Sequence, residues 1–383
     1  MQKFSNSVLL ALAATVLVFL WQALTVHFNY SGNWTALFDT GDKGSIPADL
    51  RAGTYVFQNS DGYDGQAYRY IAHDPFFQRG YAANVDGPAL RYRRILQPGL
   101  AFLLAGGQQR LIDGAYIAVV LFAIFFGVYW SSVYAAELRG RHFAWGLLFL
   151  LSPGAIASID REVIDGLMTA LFAGFLVYTK RQDTTKLYVI LTLACLARET
   201  GFLLIVGVAA AELLRRSYIK ALLFGAAAVP ALVWYAFVRL HTETYEVPSI
   251  FAMPGVGLIQ RLFTVRPVPD PVLHTVIQVL DVLSLLGLIA SLVLAVRWIW
   301  KLWPGPVAIT TALFVMLGLI AGSPAHLFEA YGYARPLSPL MLFVMLQAVA
   351  SGFWIGLAPP LLVSANLAIF FVSPILRILK ALI

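Results

Sequence analysis

Cysteine is almost absent. Cys195 stands alone among 383 residues, so no intrachain disulfide can form, and Cys/His zinc spacings are excluded. Charge is scarce as well. Charged residues make up 12% of the chain, against roughly 25% in a soluble domain. No Ser-His-Asp order and no phosphate-cradling glycine loop stands out, so no cytoplasmic nucleotide site is visible. Nor is there an internal repeat of the kind many transporters carry. What the chain does have is apolar length: 60% of its residues are hydrophobic, gathered in long runs. Such runs exceed what one globular core needs and place the chain among membrane proteins. The net charge is +7. The cations cluster in short loops between the apolar runs, which is the positive-inside pattern and not a nucleic-acid patch.

Lys3 precedes an apolar run from Val8 to Leu24. Thr25-Val26-His27-Phe28 offers no small-residue cleavage site, so this run is read as an uncleaved first span and not a signal peptide. Further spans are expected over Leu111–Ala135, Phe143–Ala157, Ile164–Tyr178, Ala221–Leu240, Val272–Val296, Val307–Ile320, Leu337–Ala350 and Trp354–Phe371. Ile95–Ala105 is too short to cross and is read as interfacial or re-entrant. Leu187–Leu214 is read as two short helices meeting at Arg198-Glu199-Thr200. That division puts Arg139/Arg141, Lys180/Arg181/Lys186, Arg215/Arg216/Lys220 and Arg297/Lys301 on one side. The expectation is an all-α polytopic membrane protein, a single transmembrane domain over 1–383 with about 11 transmembrane helices and a cytoplasmic N-terminus. Arg377 and Lys380 then fall on the opposite side, against the charge bias, and Pro359-Pro360 predicts an irregular last segment.

Two long polar loops interrupt the runs. Residues 27–94 form a first extracytoplasmic loop, and 241–271 form a second with Pro248, Pro254, Pro267, Pro269 and Pro271. The first is too rich in tyrosine and phenylalanine for a disordered linker. Its centre reads Asp61-Gly62-Tyr63-Asp64-Gly65-Gln66-Ala67-Tyr68-Arg69-Tyr70-Ile71-Ala72-His73-Asp74-Pro75. A short helix is expected from Gly65 to His73, stopped by Asp74-Pro75, with Tyr68, Ile71 and Ala72 on one face. An amphipathic helix of this kind suits the membrane surface. Both loops share a face with Asp160–Asp165, Arg198-Glu199 and Ser323–Arg335.

Membrane-embedded ionisable groups usually line a functional cavity, which makes these clusters the candidate site. Asp64 is either a helix cap or a general base facing the cavity mouth, and Asp61 is the alternative for either role. Asp160, with Glu162 and Asp165, either complements a helix N-terminus or supplies a second carboxylate for base or metal duty. Arg198 and Glu199 are either a packing ion pair or site residues. Arg91, Arg93, Arg94 and Arg335 anchor headgroups or bind a lipid phosphate, since guanidinium forks fit phosphate oxygens. Tyr63, Gln66 and Tyr68 complete the candidate substrate-binding set. His73, His241 and His326 are scattered and carry little weight.

A first span followed by a long extracytoplasmic loop with an acidic motif resembles the GT-C glycosyltransferases. More closely, Gly62-Tyr63-Asp64-Gly65-Gln66 with Asp74-Pro75, Arg94-Ile95-Leu96-Gln97-Pro98, Ala197-Arg198-Glu199-Thr200-Gly201 and Arg335-Pro336-Leu337-Ser338-Pro339 resemble bacterial membrane proteins of cell-surface glycopolymer formation. The resemblance implies a GT-C-like bundle with membrane-surface helices in its first loop, in the bacterial inner membrane with the site on the extracytoplasmic face. It implies inverting transfer from a polyprenyl-phosphate sugar donor to a glycan or lipid-linked acceptor, with Asp64 matching the family's base. The tight acidic pair of several members is missing here, so a divalent metal is left open and no other cofactor is expected. The competing readings are a transporter or flippase of lipid-linked saccharide, and a surface polysaccharide polymerase or ligase.

Overall fold

The computed structural model describes residues 2–139, 142–243, 253–264, 274–320, 322, 327–328 and 330–382. Among them the chain is all-helical, with one isolated bridge, Gly41 to Phe57, and no strand. In chain order, leaving aside the four-residue helices Ala48–Arg51 and Pro88–Arg91 and separate 3-10 segments, the helices are α1 Gln2–Asn29, α2 Asp64–His73, α3 Leu96–Leu104, α4 Gln109–Arg139, α5 Pro153–Arg161, α6 Asp165–Arg181, α7 Thr184–Ala197 and α8 Gly201–Leu214. They continue as α9 Tyr218–His241, α10 Val256–Leu262, α11 His274–Leu302, α12 Pro306–Ile320, α13 Ala330–Ala334, α14 Ser338–Ser351 and α15 Trp354–Leu382.

Five helices, α1, α4, α9, α11 and α15, are long and apolar enough to cross a membrane. This is the make-up of a helical membrane protein. The stretch expected to span at Phe143–Ala157 is instead a 3-10 helix, Phe143–Leu151, followed after Ser152 by α5 at an angle of 61°. Pro153 causes the break, because the residue before a proline avoids the helical region. Helices α7, α8 and α14 have 14 residues each, α12 has 15 and α6 has 17. At 1.5 Å per residue they reach roughly 21–26 Å, short of a hydrocarbon core about 30 Å thick. The expected count of about eleven is reached only if the bent pair and these five shorter helices are added to the five long ones. The last span runs on past Phe371 to Leu382 and is irregular as expected, with 3-10 turns at Trp354–Leu357 and Ile369–Phe371, while Pro359-Pro360 sits in the first turn of the α-helical part between them, where proline is tolerated.

Short helices survive because the bundle buries them. Nearly every residue of α14 is buried, and its apolar surface runs all the way round, which suits a central helix. Met341, Phe343 and Met345 meet Phe172 and Phe175 of α6 in one large apolar core. Helices approach closely where Gly127 faces Phe149 and Gly207 faces Thr310, as small residues allow.

The expected break between α7 and α8 falls at Arg198-Glu199-Thr200, where Arg198 is extended. The two helices form a hairpin whose turn lies at the same end of the bundle as the first loop, since Arg94 pairs with Glu199. The opposite end carries the Arg181–Glu137, Lys186–Asp183 and Arg215–Glu212 pairs. Arg141 and most of the second polar loop, including Pro248, Pro267, Pro269 and Pro271, lie outside the described residues, as do Ser323 and His326.

The first loop is a small folded unit with its own core of Phe38, Tyr68, Tyr70, Ile71, Tyr81 and Tyr92, resting on Ile112, Tyr116 and Val119 of α4. Helix α2 starts one residue before the expected Gly65 and ends at His73, as expected. It does not lie on an open surface with one apolar face down. Eight of its ten residues are buried beneath the loop and against α3 and α4.

The sorting of ends predicts opposite accessibility for Ser60 and Thr184. In a Cys195→Ala background, Ser60→Cys and Thr184→Cys should react with an impermeant thiol reagent from opposite sides of sealed vesicles. Labelling of both from one side would overturn this arrangement.

Candidate functional site

Helix α2 is held at both ends. Near its C-terminus, Arg69 grips Asp113 of α4 with two hydrogen bonds of 2.7 and 2.9 Å, and donates to the Thr54 hydroxyl at 2.7 Å. His73 sits between Gln109, 2.7 Å away, and Asp113, 3.0 Å away. Asp74 closes the helix by accepting from the backbone of Gln78 and Tyr81. At the N-terminus, Gly62 has φ +74°, and Gly65 lies so close to the Arg161 carbonyl that a side chain there would overlap it. Asp64 is therefore delivered to the end of the bundle by backbone packing.

The Asp64 side chain does not cap the helix. Tyr63 is the N-cap residue and makes no side-chain cap bond, while the Asp64 oxygens turn to Arg91 at 2.9 Å and Arg335 at 2.8 Å. From there a continuous line of alternating charge runs through the protein. Arg91 also pairs with Asp86 at 2.6 Å, and Arg335 reaches Asp165 at 3.4 Å and the Tyr331 carbonyl at 2.6 Å. Asp165, only 1% exposed, pairs with Arg198. Arg198 and Glu199 are thus not partners of one another. Their side chains diverge at the extended turn, and Glu199 takes Arg94 at 3.0 Å while Arg94 donates to the Tyr68 hydroxyl at 2.8 Å.

A second pole lies across the Tyr63 ring. Arg161 stands over that ring at 4.5 Å and Arg335 at 4.9 Å. Arg161 pairs with Asp39 and Asp160, each at 3.1 Å, and the Tyr331 hydroxyl donates to Asp160 at 2.9 Å. Asp160, Glu162 and Asp165 do not start one helix together. Asp160 is in the last turn of α5, Glu162 is its left-handed C-cap, and Asp165 opens α6. Glu162 faces Gln22 of α1 and stands apart from the charge chain.

A polar cavity of about 490 Å³ opens over the first pole, lined by Ser45, Asp61, Tyr63, Asp64, Asn84 and Arg91 among others. Gln66 also borders it, donating to the Asp61 carbonyl at 3.0 Å. Asp61 is 86% exposed and only loosely paired with Lys43 at 3.8 Å. Of the predicted residues, Asp64, Tyr63, Arg91 and Arg335 come together directly, and Tyr68, Arg94, Arg198, Glu199 and Asp160 join through shared partners. Arg93 does not join them and lies over Tyr235 at 5.4 Å. Asp39, Arg161, Asp165 and Tyr331 complete the site without a motif of their own. Only the acidic cluster at 160–165 hinted at two of them. Among the described residues no group of three His, Cys, Asp or Glu converges to hold a metal ion.

The two poles differ in basicity. Burial raises the Asp64 carboxyl, but Arg335 and Arg91 outweigh it, and Arg94 adds to them, so it is held well below the usual carboxylate range. Burial raises Asp39 from its ordinary value, with Arg161 opposing and Asp160 adding. Divergent environments of this kind separate acid and base roles. Comparison with protein-family models, curated proteins and solved structures finds no match to this chain.

Losing a carboxylate between two buried arginines is costly. Asp165→Asn should lower stability by roughly 3–5 kcal/mol, read as a fall in thermal midpoint in detergent. Glu199 is 33% exposed, so Glu199→Gln should cost about 1 kcal/mol or less. The reverse order would show that the Asp165 pairing is not what ties α6 to the site. Because the Asp64 carboxyl is depressed in the folded state, its contribution is complete above the unfolded value and fades only as pH falls toward the folded one. The stability difference between Asp64→Asn and the unaltered protein should therefore stay constant from about pH 6 to pH 8. A difference that shrinks steadily across that window would contradict the pairing.

Proposed function

We propose that the chain is a membrane-embedded glycosyltransferase of cell-surface glycan assembly, working at the extracytoplasmic face of a bacterial inner membrane. Its donor is a sugar linked to polyprenyl phosphate, and its acceptor is a hydroxyl of a glycan or lipid-linked glycan. The observation that carries the reading is Asp64, clamped by Arg91 and Arg335 at the floor of a polar cavity on the end of an apolar bundle. The cavity walls offer hydroxyl, amide and carboxylate groups suited to a sugar, and the arginines suit a phosphate.

In the resting state the arginines make Asp64 a poor proton acceptor. A donor phosphate would compete with Asp64 for the same guanidiniums, and every hydrogen bond it draws away returns basicity to the carboxylate. Asp64 then takes the proton from the acceptor hydroxyl as its oxygen attacks the anomeric carbon. The bond from that carbon to the phosphate oxygen breaks, and the arginines stabilise the charge on the departing polyprenyl phosphate. Deprotonation is thereby coupled to the presence of the donor, which limits idle reaction with water. Asp39 and Asp160, across Tyr63, hold Arg161 and the aromatic wall in place.

Asp64→Asn should fold, bind donor and lose turnover by roughly 10²–10⁴-fold, the usual share of general base catalysis. Asp61→Asn should be far milder. Near-normal turnover in Asp64→Asn, with a large loss in Asp39→Asn, would transfer the base to the other pole.

A further inference from the structure

The polar cavity over Asp64 is rich in acceptors and poor in free donors. Each nitrogen among its lining side chains already has an acceptor inside the protein. The Asn84 amide donates to the Ser45 hydroxyl at 2.5 Å, and the Gln66 amide to the Asp61 carbonyl at 3.0 Å. Arg91 directs its Nε to the Asp86 carbonyl at 2.9 Å, one Nη to the Asp86 carboxylate at 2.6 Å and the other to Asp64 at 2.9 Å. The carboxylates of Asp61, Asp64 and Asp86 line the same space. The Asp61 side chain is 86% exposed and that of Asp86 73%. Among the described residues the Asp61 carboxylate accepts no hydrogen bond and meets only Lys43, at 3.8 Å, while the Asp86 carboxylate accepts only from Arg91. The hydroxyls of Ser45 and Tyr63 can serve either way. Arg94, Arg198 and Arg335 do not line the cavity.

A ligand that fills this space must bring the donors that the walls lack. Hydroxyls do so, and an ammonium group does so with charge in its favour. A carboxylate or phosphate there faces oxygen lone pairs, with no uncommitted cation among the lining residues to meet it. An anion taken from water without partners is costly. We infer that the cavity is the subsite for an acceptor sugar that bears no anionic group, and that it binds a protonated amino sugar better than a neutral one. Calling the ligand the acceptor rests on the transferase reading; the preference in charge follows from the walls alone. Asp86 sets that preference, because its carboxylate holds the guanidinium that would otherwise receive an anion. Exclusion of anions also keeps a donor phosphate out of the acceptor's space and leaves Arg335, outside the cavity lining, as its point of approach.

The test is saturation-transfer NMR on the full chain in detergent, which needs no turnover. The probes are methyl hexosides of the gluco, galacto and manno series that differ only at the exocyclic carbon, as an aminomethyl, a hydroxymethyl or a carboxylate group. In at least one series the amine should bind roughly two- to fivefold more tightly than the neutral sugar, the scale of an exposed ion pair. The carboxylate should bind on the order of tenfold more weakly than the neutral sugar. Asp86→Asn releases the Arg91 guanidinium, so this variant should gain carboxylate binding and lose the preference for the amine, a gain that a misfolded protein cannot show. Asp61→Asn should reduce the amine preference without gaining the carboxylate. Carboxylate bound by the unaltered protein as well as the neutral sugar would overturn the inference. So would an unchanged order of binding in Asp86→Asn, or no binding in any series. The expected order with no sugar ever transferred would uphold the cavity's preference and count only against the transferase reading. Transfer to acceptors regardless of their charge would overturn the preference and leave the transferase reading standing.

Discussion

The pairing of Asp64 with Arg335 joins residues 271 positions apart and pins the first loop to the far end of the chain. Everything at this end of the bundle depends on such pairs. Asp64 also holds Arg91, Arg335 reaches Asp165, and Asp165 holds Arg198. One line of alternating charge thus links the loop, the start of α6, the α7–α8 turn and the entry to α14. Buried ion pairs are expensive to desolvate and weak evidence of stability in themselves. Here they fix which elements meet, in a bundle whose apolar helices have little directional preference of their own.

The same arrangement gives the site its chemistry. A carboxylate shared by two guanidiniums is quiet, because its proton affinity is suppressed. On the proposed reading, an incoming phosphate would change that balance by taking the guanidiniums for itself. The opposite pole is built the other way, with two carboxylates around one arginine; there burial, with Asp160 adding, raises Asp39, where the arginines lower Asp64. Tyr63 separates the poles, with Arg161 and Arg335 over its ring. Charge at each pole can therefore respond to a ligand while the aromatic wall keeps the poles apart.

Much of this was legible in the sequence. The membrane class follows from apolar runs and scarce charge, and the break at Arg198-Glu199-Thr200 follows from the sorting of cations between loops. The helix after Asp64 and its stop at Asp74-Pro75 follow from local rules that tertiary packing does not override. Partner choice was not legible. Arg198 and Glu199 are adjacent in sequence, yet an extended backbone at Arg198 sends them to Asp165 and Arg94. Asp160 and Asp165 belong to different helices because of a left-handed turn at Glu162. Asp39 gives no local signal, since its role depends on Arg161, more than a hundred residues away. The shortness of α6, α12 and α14 was not legible either, because hydropathy measures apolarity, whereas their length is compensated by burial against neighbours.

The account turns on whether lipid-linked sugar is consumed at this end of the bundle or only carried past it. The direct measurement reconstitutes the unaltered protein in liposomes with polyprenyl-phosphate sugars radiolabelled in the sugar, and follows the label and the lipid together. The account predicts that label passes to an acceptor and that an equal amount of free polyprenyl phosphate appears. Movement of intact labelled lipid across the bilayer, with no label leaving it, would contradict the account and make the charged cavity part of a carrier.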